Sequence, residues 1–260
     1  MTRNEARAEN PADQRPVALV TGAGAKRVGR HVADKLASLG YRLALHAHRS
    51  IDEARAAAKV HTDRGVESIA LAADLRDESA VKRLTADVLA HFGRVDALVN
   101  TAAIWERKPL EQVTADDVRR HFDTNALATF LMCRHVGLAM AAQADGGAIV
   151  NLGDWATARP YKDYAAYFPS KGAVEVMTRS LAVELAARNP RVRVNAVLPG
   201  PVMLPANLSP EERQEAIAGT LVKREGTPAH VADAVAFLLA NDFITGVCLP
   251  VDGGRSICSR

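Results

Sequence analysis

The chain is expected to be an α/β protein with a doubly wound parallel sheet, and three observations predict this. Short apolar runs, such as 17–20 and 148–152, are continuous rather than alternating, as in strands buried on both faces. Between them lie longer stretches with apolar residues at helical spacing. The third is a glycine-bearing loop, Thr21 to Gly29, that joins the first run to the first helical stretch.

Taken in order, residues 17–20 form the first strand. Val28, Val32, Leu36 and Leu39 recur at helical spacing, and Gly40 stops that helix. Strand, glycine loop and helix is the arrangement that seats a phosphate on a helix N-terminus, where glycine lets the backbone approach. The strict G-x-G-x-x-G spacing is absent, so a glycine-rich turn without a ligand is the competing reading. Arg27 places a cation beside the same position.

Residues 41–46 form the second strand, which ends in His48, Arg49 and Ser50. A site for NAD carries an acidic residue here for the ribose hydroxyls. This chain has none at the strand tip. Its His-Arg-Ser suits a 2′-phosphate, through the charge and fork of the arginine, and predicts NADPH. An Ala-rich helix over 52–64 and a third strand over 66–72 lead to Asp74. That carboxylate fits either the adenine amino group or a helix cap. A fourth strand over 95–99 runs into Asn100-Thr101-Ala102-Ala103-Ile104-Trp105. Small residues there let the chain pass close to a cofactor. Trp105 fits either stacking on a flat ring or ordinary packing.

Residues 114–142 form one long helix or a helix pair, with Asn125 near the middle. A buried Asn needs partners, here a water or a main-chain group behind the lysine introduced below. The fifth strand, 148–152, ends at Gly153-Asp154. A long helix then runs from about 164 to 187 and carries Tyr167 and Lys171, four residues apart and so on one face. A lysine beside a phenol lowers its pKa and a carboxylate raises it. Asp, Tyr and Lys at the carboxyl end of a strand can move a proton to or from a substrate. A sixth strand over 192–197 stops at Pro199-Gly200-Pro201. Residues 201–226 form an irregular substrate loop with a short helix capped by Ser209. A helix from Thr227 to about 239 and a last strand over 246–251 complete the count, and Asp252-Gly253-Gly254 turns out of that strand.

The 260 residues are enough for one large domain, placed at 17–260. Residues 1–16 are polar, lack an apolar targeting core and read as a flexible tail. The net charge of +3, with no dense basic tract, implies no nucleic-acid partner. The cysteines, Cys133, Cys248 and Cys258, match no metal or disulfide spacing, which fits a reducing, cytoplasmic setting. No apolar run spans a membrane.

The set Thr21-Gly22…Gly29, Asp74, Asn100, Asn125, Tyr167-x-x-x-Lys171, Pro199-Gly200 and Asp252-Gly253-Gly254 resembles the short-chain dehydrogenase/reductase family over 17–257. The resemblance implies a three-layer Rossmann-type sheet of about seven strands, a nicotinamide cofactor and a homotetramer. It carries cofactor contacts to Gly22, Arg27, Val28, Gly29, His48, Arg49, Ser50, Asp74, Leu75, Asn100, Ala102, Tyr167, Lys171, Pro199, Gly200 and Val202.

The chain departs from the family pattern at three places. Asp154 stands where the family has a serine, thirteen residues before the tyrosine. Arg27 replaces the middle glycine of a loop one residue longer than usual. Asn100-Thr101-Ala102-Ala103 replaces Asn-Asn-Ala-Gly. The first two departures, with His48-Arg49-Ser50, resemble the pteridine reductases, which implies pterin stacking on Trp105. An ionised Asp154 has no proton for a carbonyl oxygen and suits N–H groups. The expectation is therefore hydride transfer from NADPH to a pterin-like C=N bond, with Tyr167 as proton donor. Asp154 supports that donor, Lys171 binds the ribose and Asn125 positions a water or main chain. Two alternatives stand beside it: an NADPH-dependent carbonyl reductase or alcohol dehydrogenase, and a dinucleotide-binding protein without turnover.

Overall fold

The computed structural model describes residues 14–204 and 208–258. Thirteen residues of the expected tail, 1–13, and three of the expected substrate loop, 205–207, lie outside them.

Seven strands form one sheet in the order β3-β2-β1-β4-β5-β6-β7, and every neighbouring pair is parallel. They are β1 Val17–Thr21, β2 Arg42–Ala47, β3 Ser68–Ala72, β4 Ala97–Asn100, β5 Gly147–Leu152, β6 Val192–Pro199 and β7 Cys248–Val251. The helices between them are α1 Val28–Ser38, α2 Ile51–Asp63, α3 Glu78–Phe92, α4 Ala115–His121, α5 Ala128–Ala142, α6 Tyr167–Ala186, α7 Pro210–Ala218 and α8 Pro228–Ala240. The chain therefore forms the Rossmann-type three-layer fold. The order reverses between β1 and β4, which opens a crevice at the carboxyl ends of those strands.

Alternate residues of each central strand enter opposite layers. Leu19, Leu98, Ile149 and Val194 pack with Val81, Val88, Leu131, Val136, Leu181 and Leu185 of α3, α5 and α6. Val20, Leu45, Val99 and Val150 pack with Val32, Leu36, Ala57, Val231 and Val235 of α1, α2 and α8. Both faces of the sheet are covered, which is why its strands read as continuous apolar runs.

Several boundaries differ from the sequence reading, β4 and β7 each starting two residues later than expected, and three differences bear on the site. β3 starts at Ser68, two residues later than expected, because Val66 N–H still closes the exit of α2 on the His61 carbonyl. Residues 114–142 are not one regular helix. A π-helical turn, Phe122–Leu127, separates α4 from α5 and holds Asn125. The tyrosine helix begins at Tyr167, not at 164. Pro169 falls in its first turn, where a missing N–H leaves no helical bond unmade.

Candidate active site

The glycine loop is fixed from below by two side chains. Thr21 Oγ1 accepts from the N–H groups of Thr101, at 3.0 Å, and Ala102, at 3.2 Å. Thr101 Oγ1 donates to the Thr21 carbonyl. The β4 loop therefore lies directly against the glycine loop. A Cβ on Gly29 would meet Thr101 Oγ1 at 2.4 Å and the Gly22 carbonyl oxygen at 2.8 Å, so only glycine fits there. Gly22 itself has φ +67°.

His46 is a residue the sequence reading missed. It is buried at the carboxyl end of β2, where its Nδ1 accepts from Gly22 N–H at 3.4 Å and its Nε2 faces the Ala73 carbonyl at 3.0 Å. The carbonyl can only accept, so Nε2 carries the proton and the ring is neutral. Burial brings its pKa from 6.5 down to about 4. The available signal was a histidine inside an apolar strand, which must be partnered. The unfolded chain takes up this proton below 6.5 and the folded chain only below about 4. Stability from this group is thus present above 6.5 and lost as the pH falls through 4. The loss expected is about 3 kcal/mol. Urea unfolding at neutral pH and at pH 4 checks this, since His46→Leu should flatten the difference by that amount.

Around the crevice, Arg27 precedes the first turn of α1, which has no side-chain cap. Arg49 and His48 are exposed at the end of β2, and Ser50 precedes α2. Neither Arg27 nor Arg49 has an ion-pair partner among the described residues. Asp74 is bound by Arg76 at 2.6 Å, with His48 Nε2 at 3.9 Å, and the Arg76 bonds bring its pKa down to about 2. The helix-cap alternative for Asp74 does not hold. Asp77 caps α3, accepting from Ser79 N–H at 2.8 Å. Leu75 is buried beside it. The Asn100 amide is committed to the next strand, donating to Asn151 Oδ1 at 2.9 Å. Gly200 N–H donates to the Val251 carbonyl at 3.0 Å, which fixes the turn between Pro199 and Val202.

Asp154, Tyr167 and Lys171 converge at the end of β5. Tyr167 O–H donates to Asp154 Oδ2 at 2.7 Å. Asp154 Oδ1 accepts from Ala156 N–H at 2.8 Å. Lys171 Nζ donates to the Leu152 carbonyl at 2.8 Å. All three lie in a desolvated pocket. Burial raises the pKa of Asp154, against the hydrogen bonds from Ala156 and Tyr167. Burial and the Asp154 carboxylate hold the Tyr167 phenol well above its ordinary value. Burial brings Lys171 down to about 8. The phenol is therefore a donor, and the neutral form of Asp154 is favoured more than its type suggests.

Asn125 lies behind this group. It accepts from Ile104 N–H at 2.8 Å and donates to the Ile104 carbonyl at 3.0 Å and Ser170 Oγ at 3.0 Å. It thus fastens the β4 loop, through the Ile104 main chain, to α6, through the Ser170 hydroxyl. Trp105 is stacked on Tyr164, with centroids 4.9 Å apart and planes at 14°. That ring face is covered by the protein's own tyrosine.

No group of three or more His, Cys, Asp or Glu among the described residues could hold a metal ion. No helix among them is long and apolar enough to cross a membrane.

The family model described as enoyl-(acyl carrier protein) reductase matches residues 22–256. The human 3-oxoacyl-[acyl-carrier-protein] reductase is 34% identical over 235 residues, covering 90% of this chain and 95% of that protein. A Sinorhizobium meliloti 1021 structure described as a short-chain alcohol dehydrogenase superposes with TM-score 0.86 at 31% identity, over 94% of this chain and 97% of that one. A blue fluorescent protein from a metagenomic library, crystallised with NADPH, superposes with TM-score 0.83 at 33% identity, over 92% and 97%. This likeness to 3-oxoacyl reductases along nearly the whole chain overturns the pterin-reductase expectation, which rested on a few short motifs. The physical basis of that expectation also changes, since it treated Asp154 as an ordinary ionised carboxylate and Trp105 as a free platform. The nearly full-length match and the shared sheet establish that the chain belongs to the short-chain dehydrogenase/reductase family.

Proposed function

We propose that this oxidoreductase reduces a carbonyl group to an alcohol with NADPH, and that its substrate class is the 3-oxoacyl thioester. The observation that carries the reading is the buried pair Tyr167–Asp154, with its 2.7 Å bond and a phenol held in its protonated form. The substrate class follows the human relative, which is named for that reaction.

The cofactor crevice fits NADPH. Arg49, without a carboxylate partner among the described residues, stands at its 2′-phosphate end, Arg27 stands at the N-terminus of α1, the tip of β2 carries no acidic residue, and Gly22 and Gly29 bring the backbone close. NADPH, when bound, supplies the hydride for the carbonyl carbon. Tyr167 gives its hydroxyl proton to the carbonyl oxygen as that oxygen gains negative charge. Asp154, held by Ala156 N–H, accepts the hydrogen bond of the phenol and so aims it. Lys171 offers its ammonium to the ribose end of the cofactor and stabilises the phenolate as it forms. Asn125 keeps the Ile104 backbone and α6 in register. The ring pair Trp105–Tyr164 forms a wall of the substrate pocket.

Exposed apolar residues on α5 and α6, among them Phe130, Leu138, Val176 and Val183, suit the homotetramer that the family implies. A cytoplasmic setting suits the free cysteines.

The test is a comparison of kcat/KM for acetoacetyl-CoA and for a small aldehyde, each with NADPH. The reading expects the thioester to be the better substrate. Turnover of the aldehyde alone would keep carbonyl reduction and reject the thioester class.

A further inference from the structure

Helix α7 is nine residues long and none of them is fully buried, so the hydrophobic core does little to hold it. Its position is set by polar ties at both ends. At the N-terminal end Ser209 and Glu212 close a capping box, and Arg107, two residues beyond Trp105, donates to Glu212 Oε1 at 3.3 Å. At the C-terminal end the last carbonyls of a helix have no partner within it. Here the Ile217 carbonyl accepts from Thr220 Oγ1 at 2.9 Å and that of Ala218 from Lys223 Nζ at 2.8 Å. The carbonyls of Glu215 and Ala216 accept from Arg255 Nη1, the former at 3.3 Å, although Arg255 lies in the turn after β7. A cation at that end also suits the helix dipole. A Cβ on Gly219, which ends α7, would collide with the same guanidinium.

Arg255 also grips the segment that follows Asp154. Its Cζ lies 4.9 Å from the ring centroid of Trp155, the next residue in the chain. The grip is returned, since Arg159 Nη1 donates to the Arg255 carbonyl at 3.2 Å and to that of Cys258. Asp252 fixes the Arg255 backbone from both sides. Its Oδ1 accepts from Gly254 N–H at 2.9 Å and its Oδ2 from Ser256 N–H at 2.7 Å. We propose that Arg255 is a positioning residue that couples α7 to the Asp154 turn: one guanidinium caps the helix and seats Trp155, so that the substrate loop and the acceptor of the Tyr167 phenol are held in one arrangement. This rests on the carbonyl-reduction reading above. Arg255 acts through Trp155, not on the reacting atoms.

Arg255→Met keeps the length of the side chain and removes its donors and charge. Hydrogen exchange of the α7 amides should speed up by roughly tenfold or more, while the central strands keep their protection. For acetoacetyl-CoA, kcat/KM should fall roughly 10- to 100-fold, with KM raised and NADPH affinity nearly unchanged. Coupling through Trp155 makes a sharper demand. The rate losses of Arg255→Met and Trp155→Leu should overlap, so that the double variant is little worse than the more damaged single one. Rate losses that multiply, or α7 exchange or kcat/KM unchanged in Arg255→Met, would overturn the proposal and leave Arg255 a structural residue. Arg255→Lys keeps the charge and a donor without the planar fork. It should show both effects in weaker form, and it carries the same test if the methionine variant does not fold. If the wild type does not turn over acetoacetyl-CoA, the functional reading fails on that result. The coupling is then decided by α7 exchange and by the emission of Trp155, isolated by replacing the one other tryptophan in Trp105→Phe. Emission that Arg255→Met leaves unmoved would reject it.

Discussion

Tyr167→Phe is expected to lower the rate of NADPH-dependent carbonyl reduction by roughly 10²- to 10⁴-fold, the range for removal of a general acid. The substitution deletes one oxygen from a ring packed among His121, Tyr164 and Phe168, so the fold should be kept. It leaves Asp154 Oδ2 without its 2.7 Å donor, in a pocket where water is scarce. A modest loss of stability should therefore accompany the loss of rate, about 1–3 kcal/mol. The two effects separate by measurement. NADPH affinity, read by quenching or enhancement of its fluorescence, should change little, because the phenol oxygen serves the reacting carbonyl. A Tyr167→Phe protein that binds NADPH normally and retains near wild-type turnover would show that another group supplies the proton.

The second large effect is expected at the far end of the crevice. Arg49→Glu replaces an exposed cation that has no carboxylate partner among the described residues by an anion facing the same space. The lost charge-assisted bond and the new repulsion together should raise KM for NADPH by roughly 10²-fold or more. KM for NADH, which has no phosphate there, should be nearly unchanged or lower. The ratio of the two kcat/KM values therefore reports Arg49 alone, free of any general damage to the enzyme. Equal losses for both cofactors would place Arg49 away from the phosphate. Ionic strength offers an independent check, because screening should weaken NADPH binding more in the wild type than in the variant.

Most of the fold was legible in the chain because each signal was local. Continuous apolar runs marked strands covered on both faces, and Val28, Val32, Leu36 and Leu39 marked a helix by spacing alone. Of the boundaries that moved, the break within residues 114–142 goes with contacts between distant residues. Asn125 lies in a π-helical turn and bonds the Ile104 backbone and Ser170, and nothing within residues 114–142 announces those partners. Trp105 looked available for a flat ligand until Tyr164, fifty-nine positions away, was seen to cover one face of its ring.

The site divides in the same way. Tyr167 and Lys171 were recognisable by spacing, and Asp154 by its place after β5. The protonation tendency of Asp154 was not, since it follows from burial under side chains that the fold gathers around it. That tendency weakens the argument against carbonyl substrates, which the likeness to 3-oxoacyl reductases overturns. His46 was overlooked for a related reason. Its neutral tautomer is defined by Gly22 and Ala73, one on each side in the folded sheet and neither next to it in sequence. Short motifs shared with the pteridine reductases also carried too much weight. His48-Arg49-Ser50 concerns the cofactor phosphate and says nothing about the molecule reduced.

The most direct test of the account is a stoichiometric one. Purified protein, NADPH and acetoacetyl-CoA are combined near neutral pH, and NADPH loss is compared with the 3-hydroxybutyryl-CoA formed. The account predicts saturable turnover with one 3-hydroxyacyl thioester formed for each NADPH oxidised, abolished in Tyr167→Phe. NADPH bound tightly, with no thioester product and no acceptor-dependent oxidation, would contradict it.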